Sequence, residues 1–231
     1  MADLDGYGPQ ALRAETGVSR ETLEKLTTLI QTLDAWRLKT NLMGPAEWGR
    51  VWRRHVLDSI QLVPLLPDYG QIVDLGSGAG FPGLVIAACR PAGLGETVLV
   101  ESVGKKCAFL RAAIEAADLS ARVRNVRVEA LTDEPAAAIT ARAFAPLPKL
   151  LDYAAPWLEA GAVGVFPKGE RWEEELTAAE KQWKFAHKVI PSRTSDRGVI
   201  LKLSEVARVQ QNPNSCHRKS EGRGRQDDHI H

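Results

Sequence analysis

The turn Gly76-Ser77-Gly78-Ala79-Gly80 follows the apolar run Ile72-Val73-Asp74-Leu75 and leads into Phe81-Pro82-Gly83. Glycines at this spacing allow a tight bend and let a ligand approach the backbone with no Cβ in the way. The dinucleotide fingerprint G-x-G-x-x-G needs a glycine where Phe81 stands, so a nicotinamide cofactor fits poorly. A G-x-G-x-G bend preceded by Asp74 is the form that cradles an amino acid and a ribose. Glu101 closes the next apolar run, and an acid there can accept hydrogen bonds from ribose hydroxyls.

Ligands of doubly wound sheets bind at the carboxyl ends of the strands. That nominates Val128 and Glu129 after a third strand and Arg142 near the end of a fourth. A backbone N–H at Val128 could meet an adenine nitrogen, and Glu129 could accept from the exocyclic amine or stand as a solvated loop acid. The bend is the methyltransferase version of the loop, which makes S-adenosyl-L-methionine, a methyl donor, the candidate cofactor; Asp74, Gly76, Gly78, Gly80, Glu101, Val128, Glu129 and Arg142 are the candidate cofactor residues.

The acceptor atom decides which further groups the chemistry needs. Methylation at pyrimidine carbon 5 needs a cysteine nucleophile, yet Cys89 and Cys107 fall inside helical patterns and read as core. An exocyclic amine acceptor commonly goes with an Asn/Asp-Pro-Pro-aromatic motif, absent from Thr140–Pro146. Guanine N7 carries a free lone pair and no proton, so it needs alignment rather than a base. Arg142 and Lys168 are candidates for that positioning.

These residues must be held by elements that the periodicity predicts. Leu23, Leu26, Leu29, Ile30, Leu33 and Trp36 recur at helical spacing over residues 19–38, with Ser19 as N-cap. A second helix is expected from about Pro45 to Val63, apolar through Trp48, Val51, Trp52, Val56 and Ile60, and closed by Pro64 and Pro67. Strands are expected at Gln71–Leu75, Thr97–Glu101, Val123–Val128, Ala138–Phe144, Ala162–Phe166, Lys188–Ser192 and Val199–Leu203. Helices are expected at Gly83–Cys89, Gly104–Ala117, Leu147–Leu158 and Glu170–Trp183. Alternation of this kind implies an α/β fold with a mostly parallel sheet covered on both faces. The turn Arg193–Gly198 reverses the chain, so the last pair should be antiparallel. The expectation is a seven-stranded Rossmann-like sheet of the class I methyltransferase type over residues 66–203, a helical extension over 1–65, and a disordered tail over 204–231.

The bulk properties exclude several classes. A chain of 231 residues suffices for one α/β domain and a small accessory element. No apolar run is long enough for a membrane span, and the acidic start MADLDGYGPQ lacks a signal-peptide core. Three cysteines without metal-ligand spacing suggest a reducing cytoplasm and no metal. The net charge of +1 means that any RNA contact must use clustered cations.

The chain resembles the small-subunit ribosomal RNA guanine-N7 methyltransferases, the glucose-inhibited division protein B family. The segments that carry the resemblance are Asn41-Leu42, Arg54-His55-x-x-Asp58-Ser59, Val73 to Gly83, Arg90-Pro91, Glu101-Ser102-x-Gly104-Lys105-Lys106 with Phe109-Leu110, Arg142-Ala143-Phe144 and Lys168-Gly169, within residues 20 to 203. The resemblance implies cofactor contacts at Gly76, Phe81, Val128, Glu129 and Arg142, and a guanine of 16S rRNA in the small ribosomal subunit as acceptor, with no stable protein partner. Glu101 stands where the family often has Asp, and Thr140-Ala141 stand where a Ser commonly precedes the Arg; neither change removes a charge. Methylation of a protein or small molecule, or a cofactor-binding module without catalysis, are the other functions these residues allow.

Arg53, Arg54, His55, Lys105, Lys106 and Lys168 are the candidate RNA contacts, with Arg111 and Arg142 extending the rim. Spacing favours reading His55 as a core histidine on the apolar face of its helix, and Arg54 with Asp58 forms an i,i+4 pair. Trp48, Trp52, Trp157, Trp172 and Trp183 fit helical stripes and read as core. Synonymous codons can be chosen for Cys216–His231 so that a one-base shift encodes AIANQKGGVGKTTTS, a variant Walker A loop of partition-type ATPases. The tail is then expected to be a relic of an overlapping downstream gene and dispensable.

Overall fold

The computed structural model describes residues 1–131 and 133–209. Its strands are β1 (Ile72–Leu75), β2 (Thr97–Val100), β3 (Ala121–Arg124), β4 (Ala138–Thr140), β5 (Val163–Lys168), β6 (Trp183–Pro191) and β7 (Val199–Arg208). They form one 7-stranded sheet in the order β3-β2-β1-β4-β5-β7-β6. β1 to β5 run parallel, and β7 is antiparallel to both β5 and β6. The expected antiparallel terminal pair is therefore present. The strand order reverses between β1 and β4, so the loops leaving these two strands open side by side onto one crevice.

Helices α5 (Gly83–Cys89), α6 (Gly104–Ala116), α7 (Leu147–Leu158) and α8 (Trp172–Glu180) cover the sheet. The N-terminal part contributes α1 (Pro9–Thr16), α2 (Arg20–Thr40) and α3 (Pro45–Trp48). Ser19 caps α2, its side chain accepting from the Thr22 N–H at 3.0 Å. The apolar stripe of α2 packs on α5 and α6 in one continuous core, with Trp36 and Phe109 ring centroids 6.2 Å apart. No helix among the described residues is long and apolar enough to cross a membrane.

The structure corrects several expected boundaries. The helix expected over Pro45–Val63 is broken. α3 stops at Trp48, the chain turns at Gly49, and a π-helical turn, Trp52–Leu57, follows and runs into α4 (Asp58–Ile60). Gly49 is where Leu4 crosses: the Leu4 N–H bonds the Gly49 carbonyl, and a Cβ on Gly49 would lie 2.6 Å from Leu4 Cδ1. Asp3 caps the second piece from far away in sequence, its carboxylate accepting from the N–H groups of Trp52 and Arg53 at 2.9 Å each. Local periodicity carries no trace of that contact.

Three strands also differ. β4 ends at Thr140 rather than Phe144, because Ala143 adopts φ 52°. β3 ends at Arg124, and Val128 opens a separate 3₁₀ turn, Val128–Ala130. β6 starts at Trp183, a residue read as the end of a helix; Trp183 and Phe185 point to the α7–α8 side at strand spacing. β7 continues to Arg208, past the boundary expected at residue 203. Arg208 lies over the Trp183 ring at 4.2 Å and donates to Asp152. The rest of the expected tail, with the Cys216–His231 segment, lies outside the described residues. α1 had no counterpart in the sequence reading.

Candidate active site

The glycine bend is held from below. Gly76, Gly78 and Gly80 all have positive φ, at 71°, 54° and 88°. Gly76 additionally faces the Phe144 ring, which any Cβ there would strike. Glu101 is 7% exposed; its Oε2 accepts from the Gly78 N–H at 3.0 Å and its Oε1 from the Val103 N–H at 2.8 Å. The carboxylate thus joins the bend to the loop after β2. Gly76, Gly78, Glu101, Lys106, Val128, Glu129 and Phe144 line a cleft of about 400 Å³.

A larger cleft of about 880 Å³ adjoins it across Gly76, Gly78, Lys106 and Phe144. Its wall contains Phe81, Arg142 and residues from the N-terminal part, Glu47, Arg54, His55 and Asp58. Arg142 leaves β4 at the crevice and reaches these groups. Its Nη2 bonds His55 Nδ1 at 2.6 Å, and its Nη1 bonds the Arg54 carbonyl at 3.1 Å and Asp58 Oδ2 at 3.4 Å. The guanidinium also lies 5.4 Å from the Phe81 ring centroid.

These contacts fix the histidine. A guanidinium only donates, so Nδ1 of His55 is the acceptor and the ring proton sits on Nε2. Nε2 then donates to Glu47 Oε2 at 3.0 Å. Burial pushes the His55 pKa down to about 3, helped by the charges of Arg142 and Arg54. The Glu47–His55 contact is therefore a hydrogen bond to a neutral ring, not an ion pair.

Asp58 extends the network. Its Oδ1 accepts from the Thr194 hydroxyl at 2.6 Å and from Gln61 Nε2 at 2.8 Å. Arg54 donates to the Thr194 carbonyl at 3.0 Å, so the Arg54–Asp58 pair expected from spacing is replaced by separate bonds to the β6–β7 turn.

Lys168, at the end of β5, is not a free surface cation. Its side chain is 8% exposed, and Nζ donates to the Ala145 carbonyl at 3.0 Å and to Glu175 at 2.9 Å. Glu175 also accepts from the Leu147 N–H at 2.7 Å. Lys168 thereby anchors the loop between β4 and α7 and lines the larger cleft from inside.

Other expected site residues lie apart from the clefts. Asp74 is fully buried beneath the bend, with Oδ2 accepting from the Gly83 N–H at 3.3 Å and Oδ1 unpartnered. Gly80 packs on Leu84 and Leu110. Arg53 turns away to Asp5 and lies over the Tyr7 ring at 4.2 Å. Lys105 is exposed outside both linings, whereas Lys106 lines both. Of the described cysteines, Cys107 is buried and Cys89 packs half-buried against the core; burial pushes the Cys89 thiol up to about 12 and also raises that of Cys107.

Comparisons with known proteins agree with the fold. Solved structures with the same fold include an O-methyltransferase from Bacillus cereus in complex with SAH, at 15% identity and TM-score 0.51, covering 78% of this chain and 91% of that one. Another is a methyltransferase from Geobacter sulfurreducens, at 10% identity and TM-score 0.53, covering 76% and 87%. At such identities the likeness is one of fold alone. Residues 22–198 match the GidB family, described as rRNA small subunit methyltransferase G. The chain belongs to the GidB family. Curated relatives named "Ribosomal RNA small subunit methyltransferase G" include the protein of Hyphomonas neptunium, 63% identical over 86% of this chain and 95% of its own. That of Paramagnetospirillum magneticum is 44% identical over 89% of this chain and all of its own.

Within this GidB-family chain, sequence reasoning gave no site role to Glu47, Asp58, Thr194 or Glu175. Asp58 and Lys168 had a signal, since both fall in the segments that carry the family resemblance. Glu47 and Thr194 had none, because their partners lie on other elements.

Proposed function

We propose that this protein transfers a methyl group from S-adenosyl-L-methionine to N7 of a guanine in the 16S RNA of the small ribosomal subunit, in the cytoplasm. Its membership of the GidB family supports the donor and the RNA class. The cradle suits the donor: Gly76, Gly78 and Gly80 supply the positive φ that the bend needs, and the Glu101 carboxylate lines the smaller cleft. Glu101 would hold the ribose, the bend the amino-acid end, and the Val128–Glu129 backbone and carboxylate the adenine. When bound, the donor supplies an electrophilic methyl on a sulfonium.

The observation that carries N7 over other acceptors is the state of the polar groups in the larger cleft. Both ring nitrogens of His55 are taken, Lys168 is paired with Glu175, and Asp58 is saturated by Arg142, Thr194 and Gln61. These groups hold one another in place, so none of the three is free to remove a proton. N7 has no proton to remove. The charge that develops on the purine is offset by the carboxylate of Glu47 in the wall. Phe81 and Phe144 give the same space part of an apolar wall.

The test is transfer of labelled methyl to small subunits from a strain lacking the gene, followed by nuclease digestion and mass spectrometry. The expected product is 7-methylguanosine. Label in another nucleoside, or none in RNA, overturns the proposal.

A further inference from the structure

We propose that Glu47 selects guanine as the acceptor, its free Oε1 accepting hydrogen bonds from N1–H and the exocyclic amine of the base. This rests on the N7 reading above. A guanine that turns N7 toward a methyl donor turns its opposite edge, with N1–H and N2–H, away from it. Those donors need an acceptor on the far side of the cleft, and a carboxylate matches them as a pair.

Three carboxylates line the larger cleft: Glu47, Asp58 and Glu175. Asp58 has both oxygens occupied, by Thr194 and Gln61 on one and Arg142 on the other. Glu175 is neutralised by Lys168, and its Oε2 also holds the Leu147 N–H. Among the described residues of the lining, Glu47 is the carboxylate that keeps both an unpartnered oxygen and a charge without a counterion. Its single partner is the neutral ring of His55, through Oε2. His55 in turn lies against Phe81, ring centroids 5.1 Å apart. The carboxylate is thus one residue removed from the end of the glycine bend, with Leu42 and Met43 beside it in the lining to receive the face of a base.

Discrimination follows from the same geometry. Adenine presents an acceptor at N1 and lacks the amine at carbon 2, so its N1 lone pair would face Oε1 without a proton between them. The Glu47 side chain is 62% exposed, so the discrimination arises where a seated base takes the carboxylate out of water; a site that accepts from a substrate N–H then rejects the analogue that lacks it.

Glu47→Gln separates base reading from support of His55. The amide oxygen of glutamine still accepts from His55 Nε2–H, but its NH₂ confronts the N–H donors of guanine. The proposal expects kcat/KM for small subunits from the gene-deleted strain to fall at least about tenfold, the loss of a charge-assisted hydrogen bond. It expects affinity for S-adenosyl-L-methionine by calorimetry to stay within about twofold of the parent. Near-normal kcat/KM in Glu47→Gln overturns the proposal, as does a matching loss of donor affinity, which would mark Glu47 as a support of the cofactor side. Product analysis of the parent protein is run in parallel. If it yields a nucleoside other than 7-methylguanosine, the N7 reading fails and this proposal with it. If it yields 7-methylguanosine while Glu47→Gln remains active, this proposal alone fails.

Discussion

Arg142 and His55 meet across the crevice at 2.6 Å, a guanidinium N–H donated to Nδ1 of a neutral imidazole. The bond ties the loop after β4 to the π-helical turn of the N-terminal part, and it forces the ring proton onto Nε2, toward Glu47. Replacing His55 by Leu removes the acceptor of one and the donor of the other. Methyl transfer is expected to fall about tenfold to a hundredfold, the scale of a lost hydrogen bond to a charged group. Donor affinity, measured by calorimetry, should change little, because His55 lines the larger cleft and not the smaller.

The same histidine sets an acid limit on stability. Its folded pKa, about 3, lies below the ordinary value of 6.5. Above 6.5 both folded and unfolded forms are neutral and no penalty arises. As pH falls from 6.5 toward 3, the unfolded chain takes up a proton that the native ring refuses, and stability drops. Urea unfolding between pH 7 and 4 should show this slope, and His55→Leu should flatten it; an unchanged slope contradicts a neutral buried ring.

Asp74 works in the opposite direction. Burial raises its pKa from 3.8 to about 7, against the bond from Gly83 and the charge of Arg142. Its contribution is fully present below 3.8 and is lost as pH rises from there through 7, because over that range the unfolded chain releases a proton that the native carboxyl still holds. Asp74→Asn should remove the fall in stability between about pH 4 and 7, measured by urea unfolding. A slope that survives the substitution would have another source.

Gly76→Ala joins two costs. An L-residue at φ 71° is strained by roughly 1–2 kcal/mol, and its Cβ strikes the Phe144 ring between the clefts. Donor affinity by calorimetry is expected to drop at least about tenfold. Binding at the parent level would show that Phe144 moves freely and that the bend is not the cradle.

Lys168→Ala should act on the loop rather than on RNA affinity. It releases the Ala145 carbonyl and leaves Glu175 without its cation. A loss of about 1–3 kcal/mol is expected in chemical unfolding, with transfer reduced and donor affinity kept. A chain ended after Val209 should retain all three properties, since β7 is complete by Arg208; loss of activity on that truncation would contradict a dispensable tail.

Wherever a function is encoded by neighbours in the chain, the sequence was readable. The bend from Gly76 to Gly80, the acid at Glu101, the Ser19 cap and helices α5 and α7 follow from local spacing, turn chemistry and capping, which act within a few residues. The tryptophans Trp52, Trp157 and Trp183 are core, as their apolar patterns indicate. Trp183 nevertheless sits on a strand, because a single apolar residue at the junction of two patterns fits either period.

Local pattern by itself therefore determined the fold class, the glycine bend with its acid, and the family likeness. Tertiary structure alone decided that Arg53 turns to Asp5 while Arg54 enters the cleft, that Lys168 is buried in an ion pair, and that Asp3 caps a helix at Trp52. It also brought Glu47, His55, Asp58, Arg142 and Thr194 into one network. The physical reason is that hydrogen bonds and charge pairing act over a few ångströms in space. For side chains drawn from three separate parts of the chain, only the packed fold sets that distance.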